Sequence, residues 1–112
     1  MHQSSINLMR AFSEYARQLY LDHPMQVLDV GSRDVNGTYC CLFRLPGIGY
    51  TGLDIEPGPN VDLVPQNPYE WTELPNGSFD IIISGQTLEH IEFPWLTMSQ
   101  IARKLKSGGL VC

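Results

Sequence analysis

Apolar residues recur every three or four positions over residues 5–20, and this spacing predicts an amphipathic helix. Its predicted buried face consists of Met9, Phe12, Tyr15, Ala16 and Leu19. A second helical pattern begins at Pro94, because proline is favoured in the first turn of a helix. The buried face predicted for the second helix consists of Trp95, Met98, Ile101, Ala102 and Leu105. We expect Gly108-Gly109 to end this helix.

Short apolar runs bounded by glycine and proline predict β-strands between and after the two helices. The runs are residues 26–31, 49–55, 61–64 and 79–85, and a fifth begins at Leu110. The run 79–85 does not alternate between apolar and polar residues, which is typical of a strand buried on both faces of a parallel sheet. Strands that alternate with helical segments specify an α/β fold with right-handed crossovers. We therefore predict a doubly wound parallel sheet.

Composition narrows the class of protein further. The chain has 112 residues, enough for a single domain, and 43% of them are hydrophobic, so long disorder is not expected. Twelve acidic residues against seven Lys and Arg give a formal net charge of −5, which argues against nucleic acid as the main partner. No apolar run approaches the length of a membrane span or of a signal peptide. We expect a cytoplasmic protein.

The three cysteines, Cys40, Cys41 and Cys112, match neither a disulfide framework nor the spacing of a zinc site. We therefore predict reduced thiols and no metal site.

Polar residues follow the predicted strands, at the edge where an open parallel sheet binds its ligands. They include Asp29, Gly31 and Ser32 after the first strand, Asp54 after the second, Gln66 and Asn67 after the third, and Ser84, Gly85, Gln86, Glu89 and His90 after the fourth. Gly31 allows a ligand to approach the backbone, and an acid ending the neighbouring strand can accept both hydroxyls of a ribose. We therefore predict a ligand that contains adenosine.

A nicotinamide-dependent oxidoreductase is one class that would use such a ligand. Its fingerprint Gly-x-Gly-x-x-Gly is not present, because Gly, Arg and Asn occupy positions 31, 33 and 36. Asp29 and Asp34 would repel a pyrophosphate, so the loop favours a ligand with cationic groups.

Five segments in order along the chain resemble the motifs of class I S-adenosylmethionine-dependent methyltransferases of the type 11-like group. The segments are VLDVGS at 27–32, LDI at 53–55, FDIIIS at 79–84, LEH at 88–90 and LKSGGL at 105–110. The resemblance covers residues 26–112 and implies a Rossmann-like sheet of order 3-2-1-4-5 that lacks the last two strands of the family's domain. It places an N-terminal helix at 1–25 and the S-adenosylmethionine-binding domain at 26–112.

The resemblance also implies a role for individual residues. Asp29 would hold the methionine amino group, with Gly31 and Ser32 passing close to the methionine part and Gly37 serving as the exit glycine of that loop. Asp54 would accept the ribose hydroxyls and Ile55 would cover one face of the adenine. The remaining expected cofactor contacts are Asn67, at the adenine amino group, and Gln86. His90 is the candidate general base, since a histidine titrates near neutral pH.

The expected function is therefore transfer of a methyl group from S-adenosylmethionine to a small-molecule, lipid or sugar acceptor. Two alternatives stay open: a truncated or degenerate methyltransferase-like module that binds without turnover, and the nicotinamide-dependent oxidoreductase. A fifth strand with an uncovered outer edge could also pair with another chain, so self-association through this edge is a further expectation.

Overall fold

The computed structural model describes residues 3–19, 24–34, 37–85 and 91–112. Within these ranges the helices are α1 (Gln3–Leu19), the short α2 (Cys40–Phe43) and α3 (Pro94–Lys104). The strands are β1 (Met25–Val30), β2 (Ile48–Leu53), β3 (Phe79–Ile83) and β4 (Leu105–Val111). None of the described helices has the length and apolar character needed to cross a membrane.

The four strands form one parallel sheet in the order β2-β1-β3-β4. Asp29 of β1 is in register with Ile83 of β3, and Val30 with Leu53 of β2, so the carboxyl ends of these strands lie at one edge. The predicted α/β class and the order of these strands are confirmed. The division of the chain at residues 25 and 26 stays a prediction.

The predicted third strand, 61–64, is reduced to a single parallel bridge between Leu63 and Leu53. The bridge lies on the outer side of β2, which is the place that the predicted order assigns to this strand. Prolines at 59 and 65 flank the segment, and a proline has no N–H to donate to a sheet. The backbone N–H groups of Asp62 and Leu63 both donate to the carbonyl of Gly52, so the pairing cannot extend regularly.

Alternate residues of β1 point into two core clusters, one on each face of the sheet. The cluster under α1 includes Met9, Ala16 and Val27. The cluster on the opposite face includes Leu28, Val30, Trp71 and Ile101, the last from α3. Helices on both faces explain why the central strands are mostly apolar, as expected of a doubly wound sheet.

The buried face of α1 is narrower than predicted. Met9 and Ala16 are buried and Phe12 packs against the core, but Tyr15 and Leu19 are 56% and 53% exposed. Ser13 is buried instead, and its hydroxyl donates a hydrogen bond to the carbonyl of Arg10. Ser13, whose hydroxyl is hydrogen-bonded within the helix, therefore takes part of the buried face that was predicted to be apolar.

The face of α3 that packs on the sheet differs from the predicted one. Trp95 and Met98 are 64% and 44% exposed, whereas Thr97, Gln100, Ile101 and Lys104 are buried. Gln100 accepts a hydrogen bond from the backbone N–H of Trp71, and Lys104 donates to the carbonyl of Leu74. These bonds orient α3 on the segment before β3, and the two polar residues replace the apolar ones that the spacing favoured.

The predicted end of this helix at Gly108-Gly109 is also wrong, because α3 ends at Lys104 and β4 begins at once. Leu105 pairs with Phe79, but the next paired residue, Leu110, lies opposite Ile81, so residues 106–109 interrupt the regular register. The ammonium of Lys106 lies 3.3 Å from a carboxylate oxygen of the buried Asp80, and this ion pair anchors the interruption to β3.

Candidate functional site

A cavity of about 490 Å³ opens at the carboxyl ends of β1 and β2. Three of the residues predicted for the site line it: Gly31, Asp54 and Ile55. The opposite wall comes from residues further along the chain, among them Tyr69, Ile91 and Thr97. The cavity therefore lies where open parallel sheets bind their ligands.

Gly31 makes the turn by which the chain leaves β1. Its φ angle is 78°, a left-handed conformation that side chains with a Cβ rarely adopt. The backbone N–H groups of Gly31 and Ser32 both donate to the carbonyl of Leu53, at 2.8 and 3.1 Å. These bonds hold the turn against the end of β2, beside Asp54.

The carboxylate of Asp54 is held by two backbone N–H groups. Arg33 donates to Oδ2 at 3.0 Å and Glu56 donates to Oδ1 at 3.1 Å. A carboxylate offers about four lone-pair positions, so each oxygen of Asp54 can accept one further hydrogen bond. The next residue, Ile55, is 62% exposed and presents an apolar surface at the cavity.

Asp29 is almost fully buried, and the Tyr50 hydroxyl donates a hydrogen bond to its Oδ2. Burial raises the pKa of Asp29 from 3.8 to about 7; the Tyr50 hydrogen bond opposes this shift, and the negative charge of Asp54 adds to it. Burial and the nearby Asp29 also raise the pKa of Tyr50. Asp29 is not one of the residues that line the cavity, since its strand position faces the α1 side.

Ser32 and Asn60 exchange two hydrogen bonds between the loops that follow β1 and β2. Ser32 Oγ donates to the Asn60 carbonyl at 2.7 Å, and Asn60 Nδ2 donates to the Ser32 carbonyl at 3.0 Å. Neither Asn60 nor Tyr50 was recognised from the sequence. The run Pro-Gly-Pro-Asn at 57–60 does indicate a turn, but nothing in it identifies a partner 28 residues away.

The other predicted site residues lie outside the cavity lining or outside the described ranges. Gly37 is exposed with a φ of 111°, and its N–H donates to Asp34. Asn67 uses its side-chain oxygen to accept from the N–H of Tyr69 in the adjoining turn. Gln86 and His90 fall outside the described residues. The roles predicted for these four residues stay predictions.

Comparison with known proteins assigns the fold and the family. The sequence profile of a methyltransferase domain matches residues 4–112. The chain belongs to the methyltransferase domain family. In an alignment 96 positions long, which covers 77% of the chain, it is 30% identical to an uncharacterized methyltransferase of Mycolicibacterium gilvum (strain PYR-GCK). The match covers 37% of that relative.

Solved methyltransferases have the same fold as this methyltransferase domain. A protein of Methanococcus maripaludis assigned as an S-adenosylmethionine-dependent methyltransferase superposes on 91% of the chain with a TM-score of 0.64 and 16% identity. An Aquifex aeolicus methyltransferase superposes on 84% with a TM-score of 0.61 and 20% identity. The methyltransferase CalH, crystallised with S-adenosylhomocysteine, superposes on 92% with a TM-score of 0.55 and 15% identity.

The methyltransferase domain described here spans 53%, 58% and 38% of the lengths of these three structures. The predicted family is confirmed, and the family match favours a methyltransferase over the nicotinamide-dependent alternative.

Proposed function

We propose that this chain is the cofactor-binding part of an S-adenosylmethionine-dependent methyltransferase and that it binds the cofactor in the cavity at the ends of β1 and β2. The observation that carries the proposal is the convergence of Gly31, Asp54 and Ile55 on this one cavity. Each of these features suits one part of the ligand: the glycine turn suits the methionine part, the carboxylate the ribose and the apolar surface the adenine.

The donor and acceptor groups of the cavity fit this cofactor. The two free acceptor positions of Asp54 match the two hydroxyls of a ribose. Ile55 offers an apolar contact to a purine ring, and the positive φ of Gly31 leaves the backbone open on the cavity side. The acidic groups Asp54 and Glu92, which line the cavity, favour a ligand with cationic groups over one with a pyrophosphate.

When bound, S-adenosylmethionine supplies an activated methyl group on a sulfonium. The contribution of this chain is to bind and orient the ligand, because methyl transfer depends on alignment of the nucleophile, the methyl group and the leaving sulfur. Asp54 fixes the ribose end, while the turn at Gly31 and Ser32 fixes the methionine end. His90 is proposed as the group that accepts a proton when the acceptor must lose one.

The acceptor is proposed to be a small molecule, a lipid or a sugar. The proposal also includes a cytoplasmic location and self-association through the outer edge of β4. Among the residues that the structure describes, β4 is paired on one side, with β3, and Val111 is 45% exposed.

Calorimetric titration of the chain with S-adenosylhomocysteine, run beside NADH, tests the proposed ligand. We expect saturable binding of S-adenosylhomocysteine and none of NADH. The opposite preference, or no binding by a folded chain, would overturn the proposal.

A transfer assay uses S-adenosylmethionine labelled in its methyl group and a set of candidate acceptors. Label found on an acceptor indicates an enzyme, whereas cofactor binding without transfer indicates the alternative, a module that binds without turnover. Sedimentation velocity on the same sample measures self-association. We expect a dimer or larger species, and a monomer at high concentration would contradict this expectation.

A further inference from the structure

Asn60 makes two of the hydrogen bonds that join the loop after β1 to the loop after β2. Its backbone carbonyl accepts from Ser32 Oγ, and its side-chain amide donates to the Ser32 carbonyl. Asp34, two residues after Ser32, donates a hydrogen bond from its backbone N–H to the carbonyl of Pro59 at 2.9 Å. Three hydrogen bonds therefore tie residues 32–34 to residues 59–60.

Asn60 also reaches the buried carboxyl of β1. Its Nδ2 lies 2.9 Å from the Tyr50 hydroxyl, which in turn donates to Asp29, and 2.8 Å from Thr38 Oγ1. The Asn60 side-chain oxygen accepts from the Arg44 guanidinium at 3.2 Å. Each polar atom of the amide thus has a partner, and these partners come from four different segments of the chain.

The backbone at Asn60 supports the same arrangement. Its φ is 66°, a left-handed conformation that asparagine tolerates better than most residues. Space beneath it is tight, because a Cβ at Gly52 would lie 2.3 Å from the Asn60 carbonyl oxygen and 2.6 Å from Ser32 Oγ. The Ser32–Asn60 contact therefore rests directly on β2, one strand position before Leu53, and has little room to shift.

We propose that Asn60 is a positioning residue for the cofactor: it sets the distance between the turn that receives the methionine end and the Asp54 carboxylate that receives the ribose. The inference rests on the proposed function. Asn60 does not line the cavity and acts through Ser32, whose neighbour Arg33 donates to Asp54.

The proposal makes a distinction between two ligands. S-adenosylhomocysteine spans both loops, so its affinity depends on their relative position. Adenosine occupies the ribose and adenine end alone. Asp54 directly follows β2, and its bond from the Glu56 N–H lies within its own loop, so this bond does not depend on Asn60 holding the first loop.

The test is titration of Asn60→Gly with both ligands, since glycine accepts the left-handed conformation and removes only the side-chain contacts. We expect the affinity for S-adenosylhomocysteine to fall about tenfold, as for the loss of a few weak hydrogen bonds, and that for adenosine to change less than about threefold. Asn76→Gly is the matched control, because Asn76 lies in another turn, where its side chain accepts from Lys104. We expect it to leave the ratio of the two affinities unchanged.

Ser32→Ala provides a second variant that reaches the same contact from the other loop. We expect the same selective loss, because Ser32→Ala removes the other bond of the pair, from Ser32 Oγ to the Asn60 carbonyl, which Asn60→Gly keeps. Equal losses for the two ligands, or no loss, in variants with native circular dichroism would overturn the positioning role. Failure of the unaltered chain to bind either ligand would instead overturn the proposed function.

Discussion

The backbone N–H of Arg33 lies 3.0 Å from Oδ2 of Asp54. The loop after one strand therefore orients the carboxylate at the end of the next strand. The second N–H, from Glu56, comes from the loop of Asp54 itself. With both oxygens held from the protein side, the carboxylate is arranged before a ligand arrives, which reduces the ordering that binding would otherwise require.

Asp54→Ala is expected to weaken S-adenosylhomocysteine binding by roughly 10- to 150-fold, because hydrogen bonds to a charged acceptor are worth about 1.5–3 kcal/mol. Titration calorimetry measures the loss. Glu14→Gln is the control for charge, since Glu14 is an exposed acid on α1 and its change should leave the affinity as it was. An unaltered dissociation constant in a folded Asp54→Ala protein would remove the ribose role.

Gly31→Val should abolish cofactor binding. A β-branched side chain resists the φ of 78° and would project from the turn at the cavity. Because the same strain can lower stability, circular dichroism must first show native secondary structure. Gly77→Val, at a φ of 61° in a turn with open space around it, is the matched control for backbone strain. Binding retained by Gly31→Val would mean that the ligand does not pass this turn.

Asp29→Asn should raise the free energy of unfolding at pH 8, by at most about 4 kcal/mol at 1.36 kcal/mol per pKa unit. The folded-state pKa of about 7 lies above the ordinary 3.8, so the folded chain keeps a proton that the unfolded chain releases. The Asp29 contribution to stability is therefore complete below about pH 4 and is lost as the pH rises towards 7.

Urea unfolding of both proteins at pH 4, 6 and 8 checks this dependence. The difference between variant and unaltered chain should grow from near zero at pH 4 to its full value at pH 8. A difference that does not change with pH would contradict the raised pKa.

Ile101→Ala should lower the free energy of unfolding by about 2–5 kcal/mol, because Ile101 is buried between α3 and the sheet. Trp95→Ala, on the exposed side of the same helix, should cost about 1 kcal/mol, mainly from its edge contact with the Phe93 ring. Chemical denaturation of the two variants gives the comparison. A larger effect at Trp95 would restore the helix face predicted from the sequence.

The strands and the centre of the site follow from signals that are local in sequence. Residues 26–31 and 79–85 were predicted as strands, and the structure has Met25–Val30 and Phe79–Ile83. Gly31, Asp54 and Ile55 were predicted from their places directly after strands and line one cavity. A parallel sheet brings strand ends together whatever the loops between them do, so such positions can be read from spacing alone.

The features missed depend on contacts between distant residues. The rotation of α3 follows from hydrogen bonds of Gln100 and Lys104 to a segment about 30 residues earlier, and polar side chains carry no such information in their spacing. The Ser32–Asn60 contact likewise joins two loops whose sequences only indicate turns. The period of apolar residues predicts that a helix has a buried face, but tertiary hydrogen bonds decided which face it is.

The interruption of β4 at residues 106–109 separates the two ends of that strand. Leu105 pairs near the amino end of β3, while Leu110 and Val111 pair with Ile81 and Ile82 nearer the cavity. The residues between them are not paired in a regular register with β3. A residue inserted or deleted at Ser107 or Gly108 would be absorbed within the interruption. Such a change would therefore leave the carboxyl edge of the sheet in place, whereas a one-residue insertion or deletion within β1 would turn Asp29 to the other face.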